Sequence, residues 1–302
     1  IIFAGLLATS LYNFFSCLLR ALGNSTVPLV FLAVSAILNI AWDLLFVAVF
    51  HWGIAGAAYA TIFAQYVSGI GILLYVLFRC RSLFPERKDL CFDGGILKEI
   101  AGLSSLTCLQ QSVMNFGILM VQGLVNSFGA TTMAAFAAAV KIDTFAYLPV
   151  QDFGNAYSTF IAQNYGAGNK ERIHRGTKES FAISTAFSLV ISALVFAFAA
   201  PLMQIFVSSA ETAVIASGIR YLRIEGAFYF GIGCLFLLYG YYRAIKRAEM
   251  SVVLTVISLG IRVLLAYVLS ATFLGETGIW MAIPIGWILA DLTGLLYMRK
   301  TW

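Results

Sequence analysis

Two apolar runs, residues 28–50 and 54–78, are each long enough to cross the hydrocarbon core of a bilayer, and only a short turn at His51-Trp52-Gly53 separates them. Runs of this length recur along the chain, at about 1–22, 28–50, 54–78, 96–126, 131–163, 180–206, 212–240, 251–273 and 278–298. Turn signals lie between them, among them Gly23-Asn24-Ser25 before Pro28, Phe128-Gly129, Asn164-Tyr165-Gly166 and Gly275-Glu276-Thr277-Gly278. Of the 302 residues, 61% are hydrophobic and 11% charged, where a soluble domain has roughly 25% charged. The sequence predicts an all-α polytopic membrane protein with about nine transmembrane helices. The 131–163 run is too long for one simple crossing, and Pro149 and Gly154 are expected to kink it.

Lys and Arg fall in alternate connections. Arg20 lies near the first turn; Arg79, Arg81, Arg87, Lys88 and Lys98 mark the 79–98 segment; Lys170, Arg172, Arg175 and Lys178 follow, then Arg243, Lys246 and Arg247, and last Arg299 and Lys300. The turns at 51–53, 127–130, 207–211 and 274–277 carry none. This alternation predicts cytoplasmic basic loops. The net charge of +5 is thus accounted for by loop placement, and no nucleic-acid partner is expected. The polar stretch 79–95 reads as a cytoplasmic linker between two bundles. The five cysteines show no metal-ligand spacing.

A repeat organises the spans. A shift of 223 residues lays Arg20-Ala21 on Arg243-Ala244, Val30 on Val253, Ser35 on Ser258 and Phe50 on Phe273; two extra residues later, Gly53-Ile54 meets Gly278-Ile279 and Gly69 meets Gly294. The first three spans therefore correspond to the last three. Three further spans precede the last three, so three are expected upstream of a chain that opens inside an apolar run. The parent fold is expected to have six plus six helices, with a cavity between the halves and an axis along the membrane normal. The expected divisions are 1–78 as a partial N-lobe, 79–95 as linker and 96–302 as C-lobe.

Polar residues inside these runs are expensive and need a reason. Asn39 and Asp43 are one turn apart on one helix face. Asp43 lies about 10 Å from the outer end of its helix and Thr61 about 12 Å into the next. Carboxylate, amide oxygen and hydroxyl near one depth suit Na⁺ or a proton on Asp43; a helix–helix hydrogen-bond clasp is the alternative. Under the repeat Arg262 replaces Asn39 and Ala266 replaces Asp43, so this oxygen set exists once. Glu225 lies near the midplane with Arg220 and Arg223 close in sequence. Lys141 and Asp143 cannot face each other, so at least one needs a partner on another helix. Gln110, Gln111, Lys141, Asp152 and Glu225 are the candidate substrate contacts. Only His51 and His174 are histidines, and no soluble catalytic motif is present, so an enzyme is not expected.

LLRALGNSTVPLVFLAVSAILNIAWDLLFV with WGIAGAAYATIFAQ, and VNSFGATTMAAFAAAVKI with FIAQNYGAGNKERI, resemble the fourth-to-sixth and seventh-to-eighth helix regions of the multidrug and toxic compound extrusion (MATE) family. The resemblance covers essentially the whole chain and implies a twelve-helix, two-lobe antiporter. It implies a cation site at Asn39, Asp43 and Thr61, completed in the family by a first-helix aspartate that this chain lacks. The carboxylates of the NorM-like branch fall at Met114 and Ile232, where this chain has none, and the resemblance therefore leans to the DinF-like branch. The expected function is efflux of amphipathic or cationic compounds driven by H⁺ or Na⁺, from a monomer spanning the cell inner (plasma) membrane several times. Na⁺ at Asp43 is the one bound ion expected, and no other cofactor or metal. A lipid-linked-oligosaccharide flippase of the same superfamily is the rival, with a cationic cavity supplied by Lys141, Arg220, Arg223 and Arg262.

Overall fold

A computed structural model describes residues 2–81 and 91–301. Positions 82–90 of the expected linker, including Arg87 and Lys88, lie outside the described residues. The described chain is helical, with no strand among the described residues. Apolar side chains around a helix whose backbone groups are satisfied internally are what a bilayer demands. The chain divides into two compact units, Ile1–Asp93 and Gly94–Trp302.

The N-terminal unit opens with a 3₁₀ turn, Ile2–Gly5, and α1, Leu6–Ala21. Next comes α2, Thr26–Asp43, continued by a π-helical segment, Leu44–Val49, and then α3, Gly53–Arg79. His51 and Gly53, both at positive φ, close the turn between α2 and α3. A small core forms where Phe15 and Leu19 of α1 meet Ile72 and Val76 of α3. The Tyr12 hydroxyl donates to the Pro28 carbonyl at 2.9 Å and ties α1 to the start of α2.

The C-terminal unit contains α4, Gly94–Ser127; α5, Ala130–Gly166; α6, Lys170–Gln204; α7, Thr212–Gly226; and α8, Tyr229–Ala244. It ends with α9, Ala248–Thr255; a π-helical segment, Val256–Gly260; α10, Ile261–Ser270; and α11, Glu276–Thr301. Its core gathers α5, α7, α8 and α11 around Phe136, Tyr221, Leu237, Tyr242 and Trp280. The Phe136 and Trp280 rings stack at 5.5 Å, and Tyr221 meets Trp280 edge-on at 5.0 Å.

Eight helices among the described residues are long and apolar enough to cross a membrane, and α7 with α8, bent by 51°, would be a ninth if the pair is one span. The seventh predicted run is therefore two helices meeting at a bend rather than one continuous helix. Pro149 and Gly154, where a kink is expected, lie inside the unbroken helix α5. Helical structure continues through both, and the departure from helical φ/ψ falls at Phe198 of α6 (φ −104°, ψ 17°). Pro201 explains it: its ring clashes with the carbonyl four residues earlier, on Ala197, and removes the hydrogen bond that carbonyl would accept.

The two glycines paired by the repeat occupy corresponding interfaces. A Cβ on Gly69 of α3 would sit 2.6 Å from the Ala8 carbonyl oxygen of α1, and one on Gly294 of α11 would sit 2.7 Å from Leu238 of α8. The repeat pairs α1 with α8.

Candidate functional site

In the N-terminal unit, two contacts set the register of α2 on α3. The Ser35 hydroxyl donates to the Ala64 carbonyl at 2.9 Å. Further out, Phe46 packs on Gly56, whose Cβ would be 3.1 Å from the Phe46 backbone oxygen. Between these fixed points the antiparallel register brings Asn39 level with Thr61, and Asp43 within about one turn, or 5 Å, outward of it. Asp43 is the last residue before the π-helical segment. Such segments often mark functional sites.

The Thr61 hydroxyl donates to Ala57 of its own helix at 3.0 Å, which leaves its lone pairs free to accept or to coordinate. Asn39 Nδ2 and Asp43 Oδ1 are shut off from solvent and have no hydrogen-bond partner. The unpartnered carboxylate oxygen of Asp43 can take a proton or a small cation, whereas the unpartnered Asn39 nitrogen is a donor that needs an acceptor. Beside it, Phe46, Trp52, Tyr59 and Phe63 line an apolar cavity of about 440 Å³.

The C-terminal unit buries a second polar group that the sequence does not assemble. Asp143 of α5 is 4% exposed and Glu225 of α7 is 6% exposed. The Tyr229 hydroxyl at the start of α8 donates to Asp143 Oδ1. Tyr221 of α7 and Arg262 of α10 lie close enough to both carboxyl groups to act on their charge. Asp143 Oδ2, Glu225 Oε2 and Arg262 Nε are buried without a partner. Each of the three residues lies about 20 Å from the start of its span, near the middle of a bilayer. The hydrogen-bond partner that Asp143 needed is thus on α8.

The other candidates are dispersed. Gln110 is buried in α4 and Gln111 is exposed. Asp152 is exposed on α5. Lys141 is exposed, lies 5.6 Å over the Phe206 ring, and lines a cavity of about 260 Å³ with Glu211. Glu225 does not pair with the arginines near it in sequence: Arg220 forms a 2.9 Å ion pair with Glu276, and Arg223 lies 5.2 Å over Phe196. Sequence reading also passed over Asp291, 8% exposed on α11 with Cys234 beside it. The signal was there, since a lone acid in an apolar run is what drew attention to Asp43.

A family model described as MatE matches residues 106–268. The probable multidrug resistance protein YpnP of Bacillus subtilis is 33% identical over 300 residues, covering 98% of this chain and 66% of its own length. The probable multidrug resistance protein NorM of Thermotoga maritima is 27% identical over 306 residues, covering 98% of this chain and 65% of its own. A crystal structure of MATE in the bent conformation superposes with a TM-score of 0.90 at 24% identity, covering 99% of this chain and 66% of that one. The last comparison speaks to the fold. The chain spans a little under two thirds of the length of these relatives.

Proposed function

This chain belongs to the MatE family, and from that premise we propose that it works as a secondary active transporter that expels amphipathic or cationic compounds in exchange for H⁺ or Na⁺. Two relatives are called probable multidrug resistance proteins, which supports the substrate class. The single observation that carries the coupling is the Asp43 carboxylate oxygen, buried without a donor beside Asn39 and level with Thr61 to within about one turn.

Asn39, Asp43 and Thr61 form the cation site of this reading. A carboxylate in hydrocarbon is stabilised when a proton neutralises it or when Na⁺ sits against it. If one facing state offers those oxygens to the cation better than the other, cation binding shifts the equilibrium between states, and drug and cation exchange follows. No covalent step is involved. The protein acts as a monomer in the plasma membrane. The flippase reading is weaker because two of its four cations are engaged elsewhere: Arg220 pairs with Glu276 and Arg223 stacks on Phe196.

The test is Asp43→Asn in proteoliposomes, with the protein as the cell makes it. The amide keeps the shape and removes the charge. A hydrogen bond or contact to a charged group is worth roughly 1.5–3 kcal/mol, so cation-driven efflux of a cationic dye should fall about tenfold to a hundredfold, with insertion unchanged. Efflux at the parental rate under the same gradient would show that Asp43 does not couple.

A further inference from the structure

Lys141 and Glu211 line one recess of about 260 Å³ in the C-terminal unit, and among the described residues neither is in an ion pair. Counted from Ala130, where α5 starts, Lys141 lies about 17 Å along the helix. A lysine at such a depth carries its charge toward the membrane surface along its own apolar stem. Helical side chains lean toward the N-terminus of their helix, and here that direction leads to the connection between α6 and α7, with the ammonium 5.6 Å over the Phe206 ring. The way is open because the α5 residues that line the recess outward of Lys141 are Ala134, Ala137 and Ala138.

The polar groups of the recess call for an occupant with both charges. The Lys141 ammonium is all donor and needs an anion. Glu211 precedes α7 without a side-chain capping bond, so its carboxylate is free to accept. The Ser208 hydroxyl, on the recess wall between them in sequence, accepts from the Ala210 amide at 3.5 Å and keeps its own proton to donate. The volume is below the roughly 300–1,000 Å³ of sites for drug-sized ligands, so a small headgroup suits it better than a whole drug. Inward of Lys141 the same face of α5 continues as Phe145, 78% exposed, and Leu148, 42% exposed, which is a surface that an acyl chain covers.

We propose that this recess holds the phosphoethanolamine headgroup of a phospholipid, with Lys141 and Ser208 on the phosphate and Glu211 on the ammonium. A choline headgroup has no N–H to give Glu211, and a glycerol headgroup would set a net negative lipid against that carboxylate. The recess lies at the end of the unit where the turns at 127–130 and 207–211 carry no Lys or Arg, so under the positive-inside rule the outer leaflet would supply the lipid. None of these residues belongs to the group around Asp43, and the binding does not depend on transport.

Native mass spectrometry of the protein as the cell makes it, exchanged into detergent with equal amounts of phosphatidylethanolamine, phosphatidylcholine and phosphatidylglycerol, reads the lipid retained. The parental protein should keep phosphatidylethanolamine about tenfold better than either of the others, the scale of one hydrogen bond to a charged group. Lys141→Gln should lose that retention about tenfold. Glu211→Gln should abolish the preference over phosphatidylglycerol by raising phosphatidylglycerol retention, a gain that a misfolded variant would not show. Asp43→Asn should leave the preference intact, so failure here and failure of the coupling test are separate outcomes. A parental protein with no preference, or a Lys141→Gln/Glu211→Gln double variant that keeps the parental one, would overturn the site. Displacement of the lipid by free phosphoethanolamine would overturn a phospholipid as its occupant.

Discussion

In the cation site we propose, Thr61 is expected to contribute least of the three residues, because its hydroxyl is already engaged as a donor to Ala57 and offers only lone pairs. One neutral ligand is worth about 1 kcal/mol. Thr61→Ala should therefore raise the cation concentration for half-maximal efflux about fivefold, and Thr61→Ser should restore it. An unchanged concentration dependence in Thr61→Ala would remove Thr61 from the site. This group was legible in the sequence because its members follow from helix arithmetic: Asn39 and Asp43 are one turn apart, and Thr61 is counted back across a short turn. The register set by Ser35 and Phe46 only moves Asp43 about one turn outward of Thr61. The group around Asp143 was not legible. Its acids are 82 residues apart in sequence and its arginine lies on a third helix. Periodicity shows that Asp143 needs a partner, and tertiary packing alone decides which.

At the scale of helices, the same division holds. Span positions follow from membrane length and apolar composition, so they could be read directly. Breaks depend on how a freed carbonyl is accommodated. The chain stays helical through Pro149, where α5 is packed against α7 and α8, and departs from the helix near Pro201 in α6. No pattern announced the π-helical segments at Leu44–Val49 and Val256–Gly260. What holds the helices together also differs from a soluble core, because lipid tails give apolar side chains little reason to leave them. Close backbone contact carries more of the association. Where α5 crosses α8, a Cβ on Gly240 would lie 2.7 Å from the Gly154 carbonyl oxygen, and Ser158 donates to the Gly240 carbonyl at 2.9 Å. Gly240→Ala forces that crossing apart and should cost about 1–3 kcal/mol, seen as earlier thermal unfolding in detergent. Gly123→Ala on α4, where a new methyl meets open space, is the control and should be neutral or slightly stabilising. If Gly240→Ala melts no earlier than that control, close packing at this crossing is not what stabilises the bundle.

Within the C-terminal unit, the contacts group the helix ends in the way the charge alternation expects. Lys246, in the turn between α8 and α9, pairs with Glu99 near the start of α4, so the 94–99 and 243–247 segments share one end. At the other end, Glu276 at the start of α11 joins Arg220 of α7 and accepts from Thr132 at the start of α5, so the 127–130 and 274–277 turns lie together. The end holding Lys98, Arg243, Lys246 and Arg247 is basic. The end with those two turns has no Lys or Arg in either connection. By the positive-inside rule we expect the basic end of the C-terminal unit to face the cytoplasm. With the five native cysteines replaced, Ser127→Cys and Ser208→Cys should react with a membrane-impermeant maleimide added to intact cells. Lys170→Cys should react only after the membrane is opened. Ser127 and Ser208 lie outside the ion-paired group, so their replacement leaves Arg220, Glu276 and Thr132 in place. Labelling of Lys170→Cys from outside, with Ser127→Cys protected, would invert the topology.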